Sequence, residues 1–280
     1  MERREFLKYI LAAGACVCSG CNIKNTSNAE LNIIKFSLCY HCNLNCAYCN
    51  HFSPIAPKYE LPYDVFKKDI KQLYKLTKGK IKYFEFMGGE PLLNKDIEKI
   101  ISIASDYFPT TQKTIVTNGL LLKNMPKSFY KTCIDNDVQI SISNYPKSKE
   151  EQNEILKIKS KYDNIIYIME EVKEFAFINL SKKSPIKPCD TFECPHLDNG
   201  ILAPCTIISN IKFFNSYFRE YSLPVYNKDY LNIYKISSID EIINFLNTPK
   251  LFCTHCGYAH KRKYYPWKIS EKKANEWYNI

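Results

Sequence analysis

From residue 31 onward the chain alternates short apolar, β-branched runs with longer segments in which apolar residues recur every three or four positions. The runs predict strands over 31–38, 81–87, 114–117, 138–143 and 165–169, with a sixth candidate over 175–179. The segment 61–76 carries Pro62 near its start and Phe66, Ile70, Leu73 and Tyr74 on one face, which reads as a helix. A second helix begins where Asn94 can cap it, with Ile97, Ile100, Ile101 and Ala104 at helical spacing. Others are predicted over 126–134 and, highly charged, over 148–162. Strands alternating with helices imply right-handed βαβ units and a parallel sheet. The predicted fold class is therefore α/β: a partial parallel (βα)6 TIM-like barrel over 31–185, with its chemistry on the loops that follow the strands.

Beyond 185 the periodicity changes. Pro185, Pro188 and Pro195 interrupt it, and Cys194 and Cys205 bracket a short hairpin around Gly200 and Pro204. Ser238 and Glu241 form a capping box before another helix. This predicts a small Cys-rich module over 186–260 and a basic tail over 261–280 that begins Lys261-Arg262-Lys263. The first 30 residues form a separate N-terminal segment.

Cysteine usage sharpens the picture. Thirteen cysteines cluster at 16, 18 and 21; at 39, 42, 46 and 49; at 189, 194 and 205; and at 253 and 256, with Cys133 alone. Secreted disulfide scaffolds are short and loop-rich, whereas this chain of 280 residues is patterned as α/β, so metal ligation is the better reading. The net charge of +10 would suit an anionic substrate or an acidic electron donor. Lys67, Lys68, Lys71 and Lys75 lie on a predicted helix face where solvation explains them, and no nucleic-acid partner is expected. At the N-terminus, Arg3-Arg4 before an apolar run over 9–17 resembles a twin-arginine export signal, and Cys21 a degenerate lipoprotein acceptor. That run is too short to span a bilayer. A cytoplasmic location is the expectation, with export and lipid anchoring as the alternative.

The loop after the first strand carries Cys42, Cys46 and Cys49 at C-x3-C-x2-C spacing. Three thiolates on one tight loop can ligate three irons of a cubane and leave the fourth without a protein ligand, as catalytic metal sites keep an open position. The second strand ends in Met87-Gly88-Gly89-Glu90-Pro91, where paired glycines permit positive φ and close backbone approach. Thr117-Asn118 follow the third strand, and Ser141, Ser143 and Asn144 close the fourth. Over about 31–180 this set resembles the radical S-adenosylmethionine (SAM) superfamily. The resemblance implies a [4Fe–4S] cluster whose open iron chelates SAM, and reductive cleavage to a 5′-deoxyadenosyl radical that abstracts hydrogen. It implies Cys42, Cys46 and Cys49 as ligands and Tyr48 near the adenine. It also places Gly88, Gly89 and Glu90 at the SAM amino group, with Thr117, Asn118, Ser141, Ser143 and Asn144 toward its carboxylate and ribose. Cys39 leaves a second frame open, Cys39-x2-Cys42 with Cys46-x2-Cys49, as in a zinc knuckle. His41 and His51 flank the loop as ligand, acid–base or structural groups.

Cys194, Cys205, Cys253 and Cys256, with Cys189 as a spare or alternative ligand, supply a further four-thiolate set. It resembles the SPASM or shorter twitch regions that follow radical SAM barrels, and implies one auxiliary [4Fe–4S] cluster; structural zinc is the alternative. Superfamily members with auxiliary clusters often modify peptides or proteins, and others act on sugars or small metabolites. The expected activity is hydrogen abstraction from a peptide or protein. A sugar or small metabolite is the alternative substrate, and a non-catalytic iron–sulfur or zinc protein the alternative class. A flavodoxin- or ferredoxin-type reductant is the expected partner. No catalytic residue is assigned; Asp190, His51 and His196 are candidates.

Overall fold

In the computed structural model, which describes residues 29–182, 194–258 and 263–280, five strands fall where the apolar runs predict them. They are β1 (Leu31–Cys39), β2 (Ile81–Gly88), β3 (Gln112–Thr117), β4 (Val138–Asn144) and β5 (Ile166–Glu171). All pair in parallel with their sequence neighbours, and α1 (Tyr63–Thr77), α2 (Ile97–Tyr107), α3 (Lys127–Asp135) and α4 (Lys149–Lys161) return the chain between them. The result is the mixed α/β fold with a mostly parallel sheet expected of a partial barrel. One apolar row crosses the sheet in register, Phe36, Phe86, Ile115, Ile140 and Ile166, and these residues share the main core with the helices. Because strand side chains alternate, the residues one position along face the opposite way.

Helix ends follow local chemistry. Pro62 opens α1, and Lys78 and Gly79 end it at φ values of 52° and 81°. The capping box expected at Ser238 is not formed in α6 (Ile239–Asn247): Glu241 accepts instead from the N–H and hydroxyl of Ser237. A true capping box stands at Ser148 and Glu151, opening α4. Asn94 Oδ1 accepts from Asp96 N–H at 2.9 Å at the start of α2, as its capping role predicts, although the N-cap position itself falls on Asp96. Asn94 Nδ2 donates to the carbonyls of Leu38 and Leu61, tying the end of β1 to the start of α1.

The sixth strand differs from expectation. Strand β6 (Glu174–Ala176) begins three residues after β5 ends, and a parallel crossover needs a dozen or more. It turns out of the barrel and pairs antiparallel with β10 (Tyr264–Pro266). The sixth parallel position, on the far side of β1, belongs to β7 (His196–Asp198). β7 forms a hairpin with β8 (Ile201–Ala203), and β8 pairs with β9 (Leu231–Asn232). The two-residue turn, Asn199 and Gly200, has φ of 49° and 74°, the left-handed pair such a hairpin needs. Strands from 186–260 thus extend the barrel sheet itself. The hairpin is fastened by Asp198, which accepts from Tyr40 and pairs with Lys212 at 2.6 Å.

A second core gathers Phe52, Phe214, Phe252 and Trp277 around α5 (Thr206–Tyr217). The residues expected as a basic tail contribute to it: Trp277 is fully buried, and 263–280 run along the loop that follows β1. No helix among the described residues is long and apolar enough to cross a membrane. The export and lipoprotein signals at Arg3, Arg4 and Cys21 lie outside the described residues, as do Lys261 and Arg262.

Candidate active site

The loop after β1 winds tightly enough that Asn45, Tyr48 and Phe52 all have left-handed φ, at 52°, 62° and 54°. For bulky side chains this backbone is strained and persists only where the surroundings enforce it. Two sets of contacts do so. On the barrel side, the N–H groups of Gly89 and Glu90 donate to the carbonyls of Cys39 and His41 at 2.7 and 3.1 Å. On the other side, the C-terminal segment lies across the loop. Ala47 N–H donates to Lys268 O, Ser270 N–H to Asn45 O, and Trp277 Nε1 to Cys49 O.

Within the loop, Cys42, Cys46 and Cys49 lie close enough to influence one another electrostatically. Burial pushes the Cys42 and Cys46 thiols up to about 12, and Cys49 adds to both. Burial raises Cys49 as well. Cys39 differs from the trio in its place on the strand, although the Cys42 charge also reaches it. It is fully buried at the last position of β1, and its Sγ lies 3.0 Å from His41 Nδ1. Among the described residues, no three His, Cys, Asp or Glu side chains form a closed ion-binding geometry. Three thiols on one loop, with the upstream thiol engaged by His41, are a donor set that fits a cubane with one open iron.

The other expected site residues sort into two groups. Glu90, Thr117 and Asn118 form one network. Thr117 Oγ1 donates to Glu90 Oε1 at 2.7 Å, Asn118 N–H to Glu90 Oε2 at 2.9 Å, and Leu92 N–H to Oε1. Burial raises the Glu90 carboxyl, and these three donors oppose the shift. Asn118 Nδ2 reaches Asn43 Oδ1 at 2.7 Å, so the network touches the cysteine loop. Tyr48 stacks on Tyr265 with centroids 5.0 Å apart. At the end of β4, Ser141 is buried with no partner for its hydroxyl, Ser143 Oγ lies 4.0 Å from Met169 Sδ, and Asn144 O accepts from Val172 N–H. Tyr145, which the sequence reading passed over, is half-buried near all three thiols, and desolvation, then their charges, raises its hydroxyl. Its place directly after the Ser143-Asn144 strand end was the available signal.

Of the C-terminal cysteines, Cys194 and Cys205 each lie two residues beyond the His196–Ala203 pair, on opposite arms of the hairpin. Cys253 is in the turn Leu251–His255, and Cys256 bridges to Leu180. Cys189 and Asp190 lie outside the described residues.

Between the cysteine loop and the sheet lies a feature that sequence reading missed. The register sets His196, Lys35, Glu85, Thr114 and Gln139 in one row across five strands, on the face opposite the apolar row. In a packed parallel barrel such a row is Val, Ile or Leu. Here Lys35 Nζ pairs with Glu85 Oε2 at 2.8 Å, both largely buried. His196, fully buried, joins Ser37 and Thr206 through its two ring nitrogens at 3.2 and 3.0 Å. His51 roofs the row, its ring 5.5 Å from that of His196 and edge-on to it. Gln139 Oε1 is buried with no partner. Burial, then the charge of Lys35, holds His51 down to about 3; burial also holds His196 well below the usual imidazole range.

Two predictions follow from this row. Lys35→Met leaves Glu85 unpaired and should cost about 3–5 kcal/mol in urea unfolding, while Lys35→Met with Glu85→Leu should recover most of it. For His196, the unfolded chain takes up a proton below pH 6.5 that the folded chain refuses. Stability is therefore intact above that pH and falls by roughly 1.4 kcal/mol per pH unit below it. His196→Gln should flatten the pH dependence of the unfolding free energy by one proton; an unchanged slope would show that the imidazole already carries charge in the fold.

The family model described as Radical SAM superfamily matches residues 36–184, over half of the 280-residue chain. The chain belongs to the radical SAM superfamily. Its cofactors are therefore a [4Fe–4S] cluster and SAM. Among curated relatives, the enzyme is 33% identical over 106 residues to GTP 3′,8-cyclase of Campylobacter jejuni subsp. doylei, covering 35% of this chain and 31% of that protein. It is 32% identical over 105 residues to GTP 3′,8-cyclase of Clostridium botulinum, covering 36% and 32%. The match thus spans about a third of those relatives. Among solved structures, BtrN in complex with AdoMet and 2-DOIA superposes with a TM-score of 0.53 at 15% identity, covering 79% of this radical SAM chain and 83% of that one.

Proposed function

We propose that Cys42, Cys46 and Cys49 hold the cluster and that the enzyme abstracts hydrogen from a small polar metabolite seated against the row beneath the loop. When bound, the cluster and SAM supply the electron and the 5′-deoxyadenosyl radical. The chain's own residues hold and enclose. The Gly88-Gly89-Glu90 turn fixes the loop against β1 and β2, Asn118 braces it from β3, and Tyr145 and Tyr48 wall the thiols with aromatic surface.

The observation that carries the substrate class is the charged row itself. A buried ion pair, a buried imidazole and an unpartnered amide oxygen are costly in a barrel interior unless a ligand meets them. Such a face fits a compact molecule rich in hydroxyl, amine or phosphate groups better than an extended peptide. The name of the curated relatives, a cyclase of the nucleotide GTP, supports the same class. In this reading Cys194, Cys205, Cys253 and Cys256, with Cys189, supply an auxiliary cluster, and a flavodoxin- or ferredoxin-type donor supplies electrons to a chain of net charge +10.

The test is anaerobic reconstitution with iron and sulfide, then dithionite and SAM, with 5′-deoxyadenosine as readout. A panel of GTP, an amino sugar, an aminocyclitol and unstructured peptides is added in turn. A small polar compound should accelerate 5′-deoxyadenosine formation and, when deuterated, pass its label to it. Acceleration by peptides alone would sink the substrate class and leave the cluster assignment standing.

A further inference from the structure

The last described stretch, 263–280, lies across the cysteine loop in a way no part of the barrel requires. Cys46 and Ile269 form an antiparallel bridge. Ala47 N–H donates to Lys268 O at 2.9 Å, and Ser270 N–H to Asn45 O at 2.8 Å. Tyr265 stacks on Tyr48, the left-handed residue between Cys46 and Cys49. Trp267 Nε1 donates to Cys46 Sγ at 3.1 Å, a close hydrogen bond for the larger sulfur acceptor.

We propose that this strap is part of the cluster site and that Trp267 is a positioning residue that tunes the cluster by donating its indole N–H to the sulfur of Cys46. The inference rests on the reading of Cys46 as a ligand. The physical argument is one of charge. A reduced cluster carries one more negative charge than an oxidised one, and that charge is spread over its sulfurs. A donor aimed at a sulfur therefore stabilises the reduced form more than the oxidised one. Indole has a donor and no acceptor, so it cannot turn to receive from the site, and it does not titrate. The bridge and the Tyr48–Tyr265 stack hold the ring in place and offset the strain of the left-handed loop. Net charge is unchanged, so the effect is separable from the lysines nearby.

The experiment compares wild type, Trp267→Phe and Trp267→His, the last retaining a ring N–H. Midpoint potential and the electron paramagnetic resonance signal of the reduced cluster are read without SAM or substrate. Trp267→Phe should keep its iron and shift to more negative potential, with the reduced-to-oxidised ratio at fixed poise falling roughly tenfold, about 59 mV for one electron. Trp267→His should recover part of the shift. A cluster of full occupancy with unchanged potential and resonance in Trp267→Phe would overturn the proposal. If Trp267→Phe takes up no cluster, hydrogen exchange at Ala47 in the chain without iron decides. Faster exchange than wild type shows that the strap holds the loop, and unchanged exchange overturns it. A wild type that forms no cubane through Cys46 is a different failure, that of the ligand assignment.

Discussion

Alanine at Cys42, Cys46 or Cys49 is expected to reduce 5′-deoxyadenosine formation to the reagent blank, while Cys39→Ala leaves it close to wild type. The four thiols sit within eleven residues, and spacing alone allows either a trio or a pair of pairs. Geometry separates them. Cys39 ends a strand, is fully buried and bonds to His41, whereas the other three lie on the loop beyond the strand end. Cys39→Ala removes one buried sulfur and should cost about 1 kcal/mol of stability without touching the cluster. The protonation state adds a second check. With Cys42 and Cys46 up near 12, both thiols hold their protons at neutral pH, and ligation must release them. Iron uptake should therefore strengthen as pH rises between about 6 and 9, and weaken as it falls. Loss of activity in Cys39→Ala equal to that in Cys42→Ala would show that Cys39 is needed at the cluster as well and would overturn the choice of the trio.

The features legible in sequence were those that depend on local pattern. Strands β1 to β5 appear as apolar runs because each buries a row such as Phe36, Phe86 and Ile115 between sheet and helices. The cysteine loop is legible because Cys42, Cys46 and Cys49 fall within eight consecutive residues. What stayed hidden depends on pairing across long separations. Lys35 and Glu85 each look like a surface charge in a strand, and only the β1–β2 register turns them into a buried pair. His196 joins them from 161 residues away, because β7, not a strand of the predicted βα series, pairs with the free side of β1. The strap misled for a related reason. Its lysines suggested a solvated tail, but both tryptophans of the chain, Trp267 and Trp277, lie in its last fourteen residues. Two large amphipathic rings in so short a stretch rarely stand in water, and their indole N–H groups were the clue that something needed a donor.

Gly89→Ala is expected to be among the most damaging single substitutions, and the reason lies in the backbone. The paired glycines after β2 are read from sequence as an opening for a ligand; in the fold the partner they accommodate is the neighbouring chain segment. A methyl group on Gly89 would stand 2.0 Å from His41 O and 2.4 Å from its carbonyl carbon, and one on Gly88 would stand 2.1 Å from Cys39 O. Neither contact can be relieved by turning a side chain. The ends of β1 and β2 would have to part, losing the bonds from Gly89 N–H to Cys39 O and from Glu90 N–H to His41 O. Overpacking of this kind costs up to about 3 kcal/mol, and two hydrogen bonds add roughly 1 kcal/mol each. A destabilisation of about 4 kcal/mol by urea unfolding is therefore expected, with the cysteine loop released before the rest of the sheet. Gly257→Ala is the milder comparison: its added methyl meets Asn179 Nδ2 at 2.5 Å, which a turn of the side chain relieves, and Asn179 Cβ at 3.0 Å, which needs a small shift, so a cost of about 1–2 kcal/mol is expected. If Gly89→Ala unfolded at the wild-type midpoint, the strand ends would not be held at this separation. The position of every group on the cysteine loop would then need another cause.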